Sequence, residues 1–189
     1  MEGHVGSTNR AQAHRQWRAL REAYASLGVT PNAVMAAEGL PDMVFCANQT
    51  LPYYDPHDGE RGVVLSRMAA PERRDEVPHY EQYFRQIGYA VITLPEDVGH
   101  FEGMGDALWH PGRHLLWGGY GFRTDRAAYD AIAERLDVTV LGLHLDDPDF
   151  YHLDTCLSPL DQTTVLFVPS AFDQDGLDLI DFAFDTLIE

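Results

Sequence analysis

Apolar residues recur along this chain in two periods, three-to-four and two, and their alternation predicts an α/β architecture. Ala13, Trp17, Leu20, Tyr24 and Leu27 form one stripe of a first helix, which Ser7 or Asn9 would cap and Gly28 would end. A short strand is expected over 33–36 and a turn over 39–42. From there an order repeats. Strands are predicted at 43–47 and 62–66, a helix at 76–87 through Tyr80, Tyr83, Phe84 and Ile87, and a strand at 89–94. A second round sets strands at 106–109 and 114–117 about a Pro111-Gly112 turn. A helix at 124–136 follows, capped by Thr124 or Asp125 with Ala128, Ile132 and Leu136 inward, and then a strand at 138–143. In the third round a strand carrying His152 precedes one at 164–168 and a helix over 174–188 through Leu177, Ile180, Phe184 and Leu187. No closing strand follows. The middle strands recur about every fifty residues, a period that marks stacked supersecondary units. The chain thus reads as strand-strand-helix-strand units of a single α/β domain over 1–189, with propeller or solenoid logic and its last unit cut.

Composition narrows the function. With 189 residues, 45% of them hydrophobic, the chain can bury one real core. Against 30 Asp+Glu stand 13 Lys+Arg, a formal charge of -17. Such a surface repels phosphate backbones, so nucleic-acid binding is not expected. It can draw in a cationic small molecule, or simply keep the protein in solution. The two cysteines, Cys46 and Cys156, have no paired spacing, so neither a zinc site nor a disulfide framework is expected. A reducing, cytoplasmic compartment follows. The N-terminal residues carry no signal-peptide pattern, and no apolar run approaches the ~18 residues of a membrane span.

Three stretches carry candidate chemistry. Read as a strand, Phe150–Pro159 puts His152, Asp154 and Cys156 on one face. His152 and Asp154 then form either a proton-transfer pair or two polar residues on a solvated sheet. Phe101-Glu102-Gly103-Met104-Gly105-Asp106 sits just before a strand. Its glycines allow a sharp turn, and its two carboxylates can hold a cation by charge-assisted hydrogen bonds; the other reading is an acidic loop with glycines for geometry. It is too acidic for a phosphate cradle and opens no helix. Gly118–Asp125 does open a helix, and Arg123 near its start is either a carboxylate site or a solvated side chain.

Taken in order, Phe-Glu-Gly-x-Gly-Asp, Gly-Phe-Arg-Thr and His-Leu-Asp-Thr, set among strand-strand-helix-strand repeats, resemble the guanidine-modifying superfamily. That superfamily holds dimethylarginine dimethylaminohydrolases, arginine deiminases and amidinotransferases, and 41–48 resembles its first-blade strand. The resemblance is strongest to the bacterial dimethylarginine dimethylaminohydrolase-like branch and runs from about Arg10 to the end. It implies a pentein-like α/β propeller, here partial, with the active site in its central channel. His152 would be the general acid/base, and Glu102 would bind the guanidinium and orient that histidine. Asp154 would hold guanidinium nitrogens and Arg123 would read the substrate α-carboxylate. Asn48, with Asp42 in the same stretch, lies where many relatives carry an Asp for the guanidinium, so one contact is neutral here. A thiolate would attack the guanidinium carbon while His152 protonates the leaving amine and then activates water. Dimethylarginine would yield citrulline and dimethylamine, with no metal or organic cofactor.

The family's nucleophilic cysteine lies near its C-terminus, in the final blade, and neither Cys46 nor Cys156 holds that place. The chain is therefore expected to be truncated at both ends and catalytically incomplete. Cys156 is expected to pack as a small buried residue. Strand edges left open would favour association, a homodimer being one outcome. The alternatives are a non-catalytic module that binds a cationic amino acid, an amidinotransferase, or a structural domain.

Overall fold

A computed structural model describes residues 8–189, which divide into two compact units, 8–35 and 36–189. In the first, helix α1 (Arg10–Ser26) starts at Asn9, whose side chain accepts the Gln12 N–H at 3.0 Å. The alternative cap, Ser7, lies outside the described residues. Helix α1 buries none of its side chains, and its Arg21 guanidinium lies 4.8 Å from the centre of the Trp17 ring. The strand expected over 33–36 does not form.

The 36–189 unit repeats one motif three times: an antiparallel strand pair, a helix, and a third strand parallel to the second. Strands β1 (Thr50–Tyr54) and β2 (Arg61–Leu65) are followed by helix α2 (Val77–Gln86) and strand β3 (Ala90–Ile92). After the helical turn α3 (Gly103–Asp106) come β4 (Ala107–Trp109), β5 (Leu115–Tyr120), helix α4 (Ala127–Leu136) and β6 (Thr139–His144). The third repeat holds β7 (Leu157–Pro159), β8 (Thr164–Phe167), helix α5 (Gln174–Ala183) and β9 (Thr186–Ile188). Three separate three-stranded sheets result, each with its second strand central. No helix among the described residues is long and apolar enough to cross a membrane.

The third repeat therefore has a closing strand, contrary to the sequence reading. Helix α5 stops at Ala183 because Phe184, buried and extended at φ -123, turns inward. Thr186 then pairs with Thr164. The expected strand at 43–47 is instead a 3-10 turn, Pro41–Val44. Proline opens it, and Tyr80 Oη donates to Met43 O while Arg73 Nη2 donates to Asp42 O and Phe45 O. The first strand begins at Thr50 and carries Pro52, tolerated because β1 pairs on one side only.

Two apolar clusters fill the unit. One gathers Leu51, Val64, Ile92, Phe101, Leu116 and Ile132 between the first two repeats. The other gathers Trp117, Leu143, Leu153, Val165, Ile180 and Phe184 between the second and third. Gly118 and Gly119, just past the strand expected over 114–117, lie in β5, where side chains will not fit. A Cβ on Gly118 would stand 2.6 Å from the Tyr129 ring, and one on Gly119 2.7 Å from Leu153 Cβ.

Candidate active site

Three segments from two of the repeats and the turn before β7 converge on a buried cluster of Asn48, Glu102, Asp106 and His152, all at most 6% exposed. Glu102 caps the turn α3, so Asp106 falls four residues on and on the same side. Gly103 allows that turn: it sits at φ +55, and a Cβ there would stand 2.6 Å from Thr50 O. Gly105 leaves room for the partners, since a Cβ would collide with Asn48 Nδ2.

His152 is not on a strand. It precedes a 3-10 turn, Leu153–Thr155, so the shared strand face with Asp154 and Cys156 does not exist. Asp106 sets this local structure. Its Oδ1 accepts from His152 Nδ1 at 3.1 Å and from the Leu153 N–H at 3.2 Å. Thr124, expected as a helix cap, instead donates to Asp106 Oδ2 at 2.6 Å and accepts the Glu102 N–H at 3.1 Å. The Tyr129 hydroxyl lies 2.8 and 2.7 Å from the carbonyl oxygens of Asp106 and Gly119.

The other imidazole nitrogen, Nε2, faces Asn48 Nδ2 at 3.2 Å and Glu102 Oε2 at 3.3 Å. The Asn48 amide is not free to flip, because Arg73 Nη1 donates to its Oδ1 at 3.1 Å. Arg73 is itself buried against Glu76, Nη2 to Oε2 at 2.9 Å, and Gln49 Nε2 donates to that same oxygen at 2.6 Å. Glu102 Oε1 accepts the Ala69 N–H at 2.9 Å, while Oε2, fully buried, accepts no hydrogen bond. Its contact with His152 is an ion pair only, so Oε2 keeps an unused acceptor directed into the cluster.

Burial works against charge on His152, but the hydrogen bond and charge of Asp106, and then the nearby carboxylate of Glu102, outweigh it and raise the imidazole from 6.5 to about 9. The Asn48 donor opposes this, since it fits only a bare Nε2. Burial pushes Glu102 up, yet His152, the Ala69 amide and Arg123 together hold it below the usual carboxylate range.

The remaining expected residues fall as follows. Arg123 is not at the helix start, since α4 begins at Ala127. Its guanidinium lies over the Tyr151 ring at 5.0 Å, with Nη1 3.8 Å from Glu102 Oε1. Asp154 is exposed, its carboxyl pushed up by the surrounding protein against the pull of His152. Asp42 joins the network only through its carbonyl oxygen; among the described residues no hydrogen bond or ion pair links its carboxylate to the cluster. Cys156 is buried with its thiol on the carbonyl oxygens of Leu153 and His152, and burial pushes it up to about 12. Cys46 is exposed. Thr124 and Arg73 were missing from the expected set, and Asp106 was expected only as a cation-holding carboxylate, not as the partner of His152. Only Asp106 had a sequence signal, its four-residue spacing from Glu102.

A carboxylate with an unused oxygen, fixed beside an imidazole and an arginine, is suited to gripping a flat cation and moving a proton beside it. The arginine deiminase family model matches residues 29–185.

The chain belongs to the arginine deiminase family. It is 41% identical over 173 residues to the bifunctional arginine dihydrolase/ornithine cyclodeaminase ArgZ of Synechocystis, covering 92% of this chain and 23% of ArgZ. It is 39% identical over 160 residues to the dimethylarginine dimethylaminohydrolase of Mycobacterium tuberculosis, covering 85% and 49%. The ArgZ N-terminal domain, solved as a cysteine-to-serine mutant bound to substrate, is 37% identical with a TM-score of 0.89 over 100% of this chain and 68% of that domain. The chain thus spans about a quarter of the length of ArgZ and half that of the mycobacterial relative.

Proposed function

We propose that this chain supplies the guanidinium-holding and proton-transfer half of a hydrolase active site for arginine-type amino acids. The observation that carries this is the buried Glu102–His152–Asp106 array with its one unused carboxylate oxygen. In this reading Glu102 Oε2 accepts a guanidinium N–H, and Arg123 beside Oε1 draws the substrate's α-carboxylate. An incoming cation competes for Glu102 and so lowers the pKa of His152 toward neutrality, where its proton is better able to leave. The ring, held by Asp106 through Nδ1, passes the Nε2 proton to the departing amine. It then takes a proton from the water that releases the product.

The carbon must first be attacked by a thiolate, and neither cysteine here suits. Cys156 is buried with its acidity suppressed, and the imidazole edge faces away to Asn48 and Glu102. We infer that the nucleophile comes from a further repeat of a propeller-like domain begun by the three seen here, and that these 189 residues alone do not turn over. The working form would be cytoplasmic, where a thiol stays reduced. The likeness to both ArgZ and a dimethylarginine dimethylaminohydrolase supports arginine and its methylated forms as substrates. The test extends the chain by a further strand-strand-helix-strand unit carrying a cysteine and measures release of ammonia or dimethylamine from arginine and dimethylarginine. Turnover abolished by His152→Ala supports the reading; no turnover of any guanidino compound defeats it.

A further inference from the structure

We propose a second ligand site, for a small phosphate-bearing molecule with a flat ring system, at the opposite ends of the strands that carry the guanidinium site. Asn48 precedes β1 and Glu102 and Asp106 precede β4, whereas Tyr54 and Trp109 close those same strands. There a cleft of about 670 Å³ opens, lined by Tyr54, Arg61, Tyr89, Trp109, Arg113 and His114. That volume suits a nucleotide-sized ligand.

Charge distinguishes this cleft. The 36–189 unit has nine arginines, and six are engaged: Arg67 and Arg74 on carbonyl oxygens, Arg73, Arg85 and Arg123 on carboxylates, Arg126 on the Tyr120 ring. Among the described residues, the guanidiniums of Arg61, Arg113 and Arg135 make no such contact. Arg61 and Arg113 line the cleft, and Arg135 lines the recess that adjoins it through Tyr54, Trp109 and His114. On a chain of formal charge -17, Arg61 and Arg113, both uncommitted and both on one cleft, form a local anion site. The recess also holds Glu60 and Asp55, which accept from Tyr53 Oη and the His57 N–H at 2.8 Å and keep their charge, so Arg135 is balanced there and Arg61 and Arg113 supply the anion site.

The walls favour a ring as well as a charge. Trp109 is held rigid by donating Nε1–H to Pro52 O at 2.8 Å, with His114 stacked on it at 6.3 Å. Tyr54 is 58% exposed. Guanidinium forks match phosphate oxygens, and rigid aromatic faces take a planar base. The site stands independently of the guanidinium reading.

Calorimetry with AMP, adenosine and inorganic phosphate tests it. AMP should bind more tightly than about 1 mM, and more tightly than adenosine or phosphate. Arg61→Ala with Arg113→Ala, and separately Tyr54→Ala, should each weaken AMP by about tenfold or more. Arg85→Ala, outside the cleft, should change nothing. All of the substituted side chains are on the surface, and circular dichroism verifies that the variants remain folded. No AMP binding at about 1 mM, or equal affinity in the double variant, overturns the proposal. Phosphate binding as tightly as AMP overturns its ring component.

Discussion

Asp106→Asn isolates the charge that holds His152. Asparagine keeps the shape: its oxygen can still accept from His152 Nδ1 and the Leu153 N–H, and its amide can donate to Thr124 Oγ1. What is lost is the negative charge 3.1 Å from the imidazole. The rise of His152 from 6.5 to about 9 corresponds to about 3 kcal/mol, at about 1.4 kcal/mol per pH unit. Asp106 is the larger of its two favourable causes, so the variant should titrate well below the wild-type value of about 9. The same charge is a stability contribution. A folded value above the unfolded one gives stabilisation that is complete below about 6.5 and lost as pH rises through about 9. Wild-type protein should therefore unfold more easily at pH 9.5 than at pH 6, and Asp106→Asn should flatten that slope and cost roughly 1–2 kcal/mol near pH 7. Proton NMR of the His152 ring reads the titration, and urea unfolding across pH reads the stability. A variant still titrating near 9 would refute the assignment of Asp106 as the dominant partner.

Further outcomes follow from the same contacts. Arg73→Ala leaves Glu76 buried and unpaired and frees the Asn48 amide, and should cost roughly 3–5 kcal/mol by urea unfolding; replacing both Arg73 and Glu76 by apolar residues should cost less. Gly103→Ala adds a Cβ at positive φ against Thr50 O and should cost roughly 2 kcal/mol or more. In native protein at pH 8, iodoacetamide should label the exposed Cys46 and spare Cys156, whose thiol is pushed up to about 12; mass spectrometry showing both labelled at equal rates would contradict this.

Helix α4, strand β6 and most of α2 and α5 were legible because their apolar periods are strong and their packing agrees. The errors cluster where long-range contacts override local preference. Phe150–Pro159 has the composition of a strand, but Asp106, 47 residues before Leu153, takes the Leu153 N–H and leaves a 3-10 turn. Pro41–Val44 is bent by Arg73 and Tyr80, and Phe184 ends α5 by turning into the second apolar cluster. Pro52 hid β1, since a proline argues against a strand until the edge position is known. In the site, the ordered motifs led to Glu102, Arg123, His152 and Asn48, which the fold brings together. Asp106 was visible inside the same motif, but without the helical turn nothing marked it as the partner of His152. Asp42 shares a sequence neighbourhood with Asn48, yet only its carbonyl oxygen joins the network, whereas the exposed Asp154 keeps its carboxyl near enough to feel His152 and Asp106.

If Glu102 Oε2 and the His152 ring together receive a flat cation, that ring must respond when one is added. The most direct test follows the His152 ring signals by NMR while L-arginine or L-norleucine, which lacks the guanidinium, is added at neutral pH. Arginine should shift them saturably and lower the apparent pKa of His152, norleucine should not, and Glu102→Gln should abolish the response. Signals that stay still with arginine, or move equally with norleucine, would contradict the claim.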